Sequence, residues 1–123
     1  VRRIQSHPAA KDNAGRLAVE RGPLVYCAEA VDNGGHALNL VLPDDTLFTE
    51  DRVDVHGHGL VSLKAPAQAL FPAPDGAHSV EPVTATLIPY FAWCHRGDGE
   101  MQVWFPADLE HGEPAVSRIA SPK

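Results

Sequence analysis

The stretch TLIPYFAWCHRGDGEMQVWFP, residues 86–106, places a Cys-His pair between two aromatic runs. Gly97-Asp98 is a favoured two-residue turn, which predicts a β-hairpin between strands at 83–93 and 100–105. In that register Cys94 faces Met101. A shift of one residue would bring charged and amide side chains onto the apolar side, so the apolar alternation selects this pairing.

The two faces of this predicted hairpin differ in character. Facing residues share a side of a sheet, and one side collects apolar or burial-tolerant residues: Ile88, Tyr90, Ala92, Cys94, Met101, Val103 and Phe105. We therefore expect Cys94 to lie in the core. His95 points to the opposite face, close to Glu100, so the Cys-His pair marks the end of a strand and is not a nucleophile with its base.

The opposite face collects Phe91, Trp93 and Trp104 beside His95, Glu100 and Gln102. Such a face is too apolar for ordinary contact with water and too polar for a deep core. Exposed aromatic patches mark interaction surfaces, so we predict that Phe91, Trp93 and Trp104 contact a partner or a sugar. The alternative is that a second sheet, or the segment 71–82, covers them.

The rest of the chain predicts an all-β fold. Eleven prolines and ten glycines interrupt it, and no amphipathic helix of a dozen residues fits between them. We expect one antiparallel β-sandwich over residues 1–123, jelly-roll or immunoglobulin-like, with little or no helix and a polar tail at 107–123. Gly22-Pro23 is expected to kink a strand at a sandwich corner, and 71–82 to form a proline-rich loop. The predicted strands are 16–20, 24–30, 37–42, 52–55, 60–63, 83–93 and 100–105.

Charge and hydropathy exclude two classes of partner. Ten Lys plus Arg against sixteen Asp plus Glu give a net charge of -6, which would repel a nucleic-acid backbone. No apolar run is long enough to span a membrane, and no charged-then-apolar leader opens the chain. The chain reads as an excised or processed fragment. Its compartment is therefore undetermined, with the cytoplasm favoured.

No pattern in the sequence predicts a metal, cofactor or catalytic site. His56 and His58 could begin a metal site, but no third ligand has a suitable spacing. The acidic segment 42–54 reads as a turn and an exposed edge, without the spacing of a calcium loop. Cys27 and Cys94 match no metal or redox spacing; two buried reduced thiols are favoured over one long-range disulfide.

Two phrases carry a family resemblance. GRLAVERGPLVYCAEAVDN, residues 15–33, and the segment 86–106 quoted above resemble the C-terminal portion of bacterial glycoside hydrolase family 127, the β-L-arabinofuranosidase-type enzymes. The resemblance runs from Val1 to about Pro106. It implies a C-terminal β-sandwich that follows a large (α/α)-barrel catalytic domain.

The resemblance also implies where the chemistry lies. Such enzymes resemble retaining glycosidases that use a zinc-held cysteine thiolate and an acid/base glutamate, all within the barrel. This chain has no Cys-Cys pair and no Glu-x-Cys, and the order around Cys27 and Glu29 is reversed. We therefore transfer no catalytic or zinc residue to it, and expect neither zinc binding nor arabinofuranoside hydrolysis by this chain.

Three functions remain open at this point. The first is a noncatalytic accessory domain that packs on the barrel of its own parent chain or mediates a homodimer. The second is a carbohydrate-binding module that uses Trp93 and Trp104. The third is an autonomous enzyme, which would need carboxylates at glycosidase separation. The sugar specificity of a parent enzyme cannot be read from these residues.

Overall fold

The computed structural model describes residues 1–5, 15–55, 58–73, 78–92, 99–112 and 114. These residues form an all-β antiparallel fold, as predicted, and its helices are single 3-10 turns. None of the described helices is long and apolar enough to cross a membrane. The described strands are β1 Arg2–Gln5, β2 Arg16–Arg21, β3 Leu24–Glu29, β4 Leu40–Val41, β5 Thr49–Val55, β6 His58–Pro72, β7 His78–Pro89, β8 Met101–Gln102 and β9 Phe105–Pro106.

The strands connect into one antiparallel network in the order β1-β2-β3-β7-β6-β4. Strand β5 pairs with β6, β8 pairs with β3, and β9 pairs with β2. The last residues of β7 leave β6 and pair with β3. The long β6–β7 hairpin therefore joins the two parts of the sandwich.

Gly22-Pro23 forms a hairpin turn and not the predicted kink. Arg21 pairs with Leu24, so the loop between β2 and β3 has two residues. Gly22 has φ 59°, the positive value that glycine supplies at the first position of a II′-type hairpin loop. Proline at the second position loses no ladder hydrogen bond, because a turn residue donates none to the ladder.

Strand β3 lies at the centre of the network, as its sequence predicted. It pairs with β2 and β7 at Tyr26 and with β8 further along. Tyr26 and Cys27 point to opposite faces, and both are fully buried. The sequence-based interpretation of Cys27 as a small buried residue is confirmed; Cys94 lies outside the described residues.

The predicted loop at 71–82 is wrong at both of its ends, while residues 74–77 lie outside the described part of the chain. Phe71 and Pro72 end β6, and they pair with Ser79 and His78 at the start of β7. The loop was predicted because the segment is rich in proline, which is rare inside strands. A strand accepts proline where one edge lacks a partner, and over His78–Leu87 the only described partner of β7 is β6.

The predicted hairpin of 83–93 with 100–105 is also wrong. Strand β7 ends at Pro89, and the next residues form a 3-10 turn, Tyr90–Ala92. Met101 and Gln102 pair with β3, whereas Phe105 and Pro106 pair with β2. Because β2 and β3 run antiparallel, the chain must reverse direction between these two pairings. The facing pairs proposed for Cys94 and His95 lie outside the described residues.

The main core lies between the two layers of strands. Tyr26 also links the layers through its hydroxyl, which donates to the Val61 carbonyl at 2.9 Å. Burial raises the pKa of this phenol, while the nearby Arg21 opposes the increase. The buried residues of this main core are Leu17, Val19, Tyr26, Ala28, Ala37, Leu40, Leu42, Leu63, Ala67, Ala69, Ala85, Leu87 and Phe105.

The acidic segment forms the turn and exposed edge that its composition predicted. The backbone N–H of Thr46 donates to the Pro43 carbonyl, and Asp44 and Asp45 between them are exposed. Strand β5 follows, and β6 is its only partner among the described strands. His58 begins β6, while His56 lies outside the described residues.

Candidate functional site

The predicted interface residues occupy separate elements. Phe91 lies in the 3-10 turn after β7, and Trp104 lies between β8 and β9. Trp93 is outside the described residues. The shared hairpin face that would have united Phe91 with Trp104 does not form, because their segments pair with different strands.

The observed burial of these residues differs in part from the buried and outer faces predicted for the hairpin. Ile88, Ala92 and Phe105 are buried, as expected of the core side, but Tyr90 is 44% exposed. Gln102, assigned to the outer side, is only 5% exposed. A side chain that follows a 3-10 turn no longer alternates between two faces, so the period-2 argument fails after Pro89.

A second, smaller apolar cluster lies on the other face of β3. Cys27, Ile88 and Ala92 form it, and Leu60, Met101 and Val103 pack against it. The 3-10 turn Tyr90–Ala92 lies against β3. This cluster therefore continues the core to the surface at the end of β7.

An exposed apolar patch borders this cluster. Tyr26 pairs with Pro89, so Val25, which precedes Tyr26, and Tyr90, which follows Pro89, lie at the same end of the β3–β7 pairing. Val25 is 36% exposed, and Phe91, next along the turn, is 58% exposed. We call Val25, Tyr90 and Phe91 the β3–β7 patch. Apolar side chains grouped in this way, next to a buried cluster, are typical of a contact surface.

Trp104 is half-buried, and its backbone is fixed. The Arg16 Nη1 donates to the Trp104 carbonyl and to Gln102 Oε1, at 3.2 Å each. Gln102 Nε2 in turn donates to the carbonyls of Ala37 and Leu40. These bonds satisfy a buried amide and hold β8 to the loop before β4 and to the first residue of β4. This role for Gln102 was missed, because alternation alone assigned it to solvent.

Glu100 fixes the same loop from its other end. One carboxylate oxygen accepts from the backbone N–H groups of Ala37 and Leu38 at 2.8 and 3.0 Å. The other oxygen lies 3.6 Å from His36 Nδ1. Burial raises the pKa of Glu100, but these donors and His36 together outweigh it, and the net pKa is lowered. Glu100 is thus an ionised carboxylate that anchors this loop, and its predicted pairing with His95 lies outside the described residues.

Among the described residues, the pKa values of two other carboxyl groups, Glu50 and Asp51, are also lowered. The Arg21 side chain hydrogen-bonds to Glu50 and lowers its pKa. The backbone N–H of Arg52, and then Lys64, lower the pKa of Asp51. A glycosidase acid needs a raised pKa. These three carboxylates shift in the opposite direction, which does not suit that role.

Metal-binding residues are not grouped within the described part of the chain. In those residues, no three His, Cys, Asp or Glu side chains come together in a way that could hold an ion. His56, Cys94 and His95 lie outside this search. The sequence-based expectation of no metal site thus remains a prediction for the whole chain.

Comparison with known proteins places these features in a family. Residues 1–106 match the family described as "Glycoside hydrolase family 127 C-terminal domain". The chain is 35% identical over 117 residues to a non-reducing end β-L-arabinofuranosidase from Bifidobacterium longum subsp. longum. That alignment covers 85% of this chain and 18% of the relative, so the chain spans about a fifth of the relative's length.

Solved structures agree with the sequence match. A GH127 β-arabinofuranosidase superposes with a TM-score of 0.82 at 37% identity, covering 89% of this chain and 17% of that one. A GH127 β-L-arabinofuranosidase from Geobacillus stearothermophilus T6 gives a TM-score of 0.75 at 37% identity, covering 86% and 18%. Both structures are similar to this chain over most of its length and much longer than it.

Proposed function

Because this chain belongs to the glycoside hydrolase family 127 C-terminal domain family, we propose that it is a noncatalytic accessory β-sandwich of a β-L-arabinofuranosidase-like protein. Its role is to pack against the catalytic domain of its own parent chain through the β3–β7 patch. The observation that carries this proposal is the exposure of Val25, Tyr90 and Phe91 beside a fully buried cluster.

The choice of partner follows from the lengths of the relatives. The chain covers only 17–18% of the similar enzymes, so in those proteins a domain of this kind has more than four fifths of the polypeptide to contact. An apolar patch next to the core is suited to a permanent contact, because permanent interfaces are more hydrophobic than transient ones. A homodimer through the same patch is the alternative, and the experiment below distinguishes it from packing on the catalytic domain.

The absence of catalysis in this chain is part of the proposal. The lowered pKa values of Glu50, Asp51 and Glu100 do not suit the general acid that a glycosidase requires. The absence of catalysis is also supported by the burial of Cys27, since a nucleophilic thiol must be accessible and lie in an electropositive environment. We expect no turnover of an aryl β-L-arabinofuranoside by the chain alone.

The test is a binding measurement between two separately produced parts. The 123-residue chain is titrated into the catalytic region of a parent GH127 protein. Phe91→Ser should weaken the complex about 10-fold or more, because an exposed aromatic anchor is lost from the contact. Leu47→Ser is the matched control, since Leu47 is 79% exposed and lies outside the patch.

Two outcomes would contradict the proposal. The first is equal weakening by Phe91→Ser and Leu47→Ser. The second is self-association of the chain that Phe91→Ser abolishes while binding to the catalytic region is unchanged, which would assign the patch to a homodimer. Sedimentation of the isolated chain and of its Phe91→Ser variant measures self-association and so detects the second outcome.

The carbohydrate-binding alternative depends on Trp104. Its side chain is half-buried, so part of the ring could stack on a sugar. Binding of the chain to an arabinan oligosaccharide array, lost in Trp104→Ala, would favour this function over domain packing. Loss of the same binding in Phe91→Ser would instead assign sugar contact to the β3–β7 patch.

A further inference from the structure

A cavity of about 300 Å³ lies between the loop before β4 and the β6–β7 hairpin. It lies outside the β3–β7 patch, and none of the predicted site residues lines it. Its size is at the lower end of the range for small-molecule sites. The lining residues are Asp32, Asn33, Gly34, His36, Asn39, Leu40, Ala69, Phe71, Glu81, Val83 and Thr84.

The loop wall of the cavity is held in place by side-chain hydrogen bonds. The Asn33 amide donates to the carbonyls of Glu29 and Thr86, and its oxygen accepts from the Thr86 N–H at 2.8 Å. Gly34 and Gly35 take positive φ values of 72° and 96°, which glycine adopts at little cost. Together with Glu100 and Gln102, these contacts give the cavity a preformed wall.

Two buried side chains on this wall have unused hydrogen-bonding capacity. His36 is 8% exposed; its Nδ1 lies 3.6 Å from the Glu100 carboxylate, while its Nε2 has no hydrogen-bond partner among the described residues. Asn39 is 2% exposed; its Nδ2 donates to the Leu70 carbonyl, but its Oδ1 accepts no bond from the described residues. Buried polar atoms are normally paired, so two unpaired atoms on the wall of one cavity, His36 Nε2 and Asn39 Oδ1, indicate that a partner is missing.

The remaining lining indicates what kind of partner would fit. Asp32 and Glu81 contribute carboxylates, which disfavour an anion and accept hydrogen bonds from hydroxyl groups. Phe71 contributes an aromatic ring, which meets the His36 ring edge-on at a centroid distance of 6.2 Å. Leu40, Ala69 and Val83 make the remaining walls apolar. Several acceptors, an imidazole and one aromatic ring suit a compact neutral molecule with several hydroxyl groups.

We propose that this cavity binds a neutral polyhydroxylated molecule of about the size of one pentose ring. His36 and Asn39 contact it at the base, and Asp32 and Glu81 accept from its hydroxyl groups. This inference goes beyond domain packing, because it assigns a ligand to a different surface. A ligand with about ten non-hydrogen atoms at ordinary ligand efficiency binds with a Kd of roughly 1–10 mM.

The experiment follows amide and imidazole resonances of the isotope-labelled 123-residue chain. L-arabinose and D-xylose are the probes, with acetate, methylammonium and Ca²⁺ titrated in parallel. The expected result is a saturable shift of the Gly34 amide and the His36 imidazole with a pentose. Glu81→Gln should raise the Kd at least 3-fold, whereas its isosteric control Glu110→Gln, outside the cavity, should not change it.

A second variant fills the cavity without removing a charge. Thr84 is exposed at the rim, so Thr84→Trp should abolish the pentose shift while the circular dichroism spectrum is retained. Thr49→Trp, on the exposed edge strand β5, is its control and should bind normally. The proposal is overturned if neither pentose gives a saturable shift, since water alone would then fill the cavity. It is equally overturned if only acetate, methylammonium or Ca²⁺ gives such a shift. It is also overturned if Thr84→Trp and Thr49→Trp behave alike.

Discussion

The segments 15–33 and 86–106 are both rich in apolar residues, but the fold holds them by different kinds of contact. In the first, β2 and β3 pair with each other across a two-residue turn. In the second, the residues are divided among three partners: Leu87 pairs with β6, Ile88 and Met101 with β3, and Phe105 with β2. The first segment is a local hairpin, whereas the second is held by strands distant in the sequence.

This difference determines which interactions stabilise each segment. A local hairpin closes a short loop, so its turn conformation carries much of its specificity. The second segment has to be ordered by side chains that reach across the molecule, such as Phe105 in the main core and Glu100 on the loop before β4. Substitutions in the two segments should therefore destabilise the domain through different mechanisms.

The largest expected effect is in the second segment. Phe105 is fully buried in the main core and belongs to a strand of only two residues. Phe105→Ala leaves a cavity that so short a strand cannot close, and we expect a loss of about 3–5 kcal/mol in the free energy of unfolding. Urea denaturation followed by fluorescence measures it. A loss below about 1 kcal/mol would mean that β9 contributes little to the core.

Glu100→Gln should have the next largest effect, and this effect should depend on pH. The two backbone donors on Glu100 are charge-assisted, so we expect a loss of about 1.5–3 kcal/mol at pH 7. The pKa of Glu100 is lowered in the folded state. Its carboxylate therefore stabilises the fold fully above the unfolded value, and the stabilisation is lost as the pH falls through the folded value.

The measurement for Glu100 is a pair of unfolding curves for wild type and variant at pH 7 and at pH 3. The difference between the two proteins should shrink at the lower pH, where the carboxyl group begins to take up a proton. Glu110→Gln serves as the control, because Glu110 is exposed. A difference of the same size at both values of pH would assign the effect to packing and not to charge.

Gly22→Ala tests the turn of the first segment. The φ of 59° at Gly22 is unfavourable for a residue with a Cβ, yet beyond its two chain neighbours no described atom lies within 4 Å of the position where that Cβ would be. The cost is therefore conformational alone, about 1–2 kcal/mol. Gly99→Ala is the comparison: its added Cβ would lie 3.5 Å from the Ala30 Cβ, an ordinary contact. We expect Gly99→Ala to unfold at nearly the wild-type urea concentration. Equal losses of unfolding free energy in Gly22→Ala and Gly99→Ala would show that the turn conformation at Gly22 is not the cause.

The smallest expected effect is at the exposed end of the second segment. Phe91 is more than half exposed, so Phe91→Ala in the isolated chain should change the free energy of unfolding by less than about 0.5 kcal/mol. The same substitution should weaken the complex with the catalytic region, as proposed above. A loss of 2 kcal/mol or more in the isolated chain would instead make Phe91 part of the core.

The contrast between the two segments also explains what could be predicted from sequence. The strands at 16–20 and 24–30 were predicted nearly to their observed bounds, because residue alternation and a local turn determine where these strands lie. The central position of β3 was predicted as well. The pairing of 86–106 was wrong because Gly97-Asp98 suggested a local hairpin, and no single-sequence pattern reports pairing with strands more than sixty residues away. The outward positions expected for Gln102 and Glu100 did not reveal their roles for the same reason: their shared partner, Ala37, belongs to a loop whose position depends on the whole fold.

The buried position of Cys27 provides a way to time the opening of the centre of the sheet. Its sulfur lies in a strand that is paired on both edges, with the small apolar cluster over it. An alkylating reagent can reach that sulfur only when β3 separates from its neighbours. The alkylation rate of Cys27, measured against that of an unfolded peptide, therefore gives the free energy of this opening. Comparing that value with the global free energy of unfolding shows whether β3 opens as a separate unit or only when the entire domain unfolds.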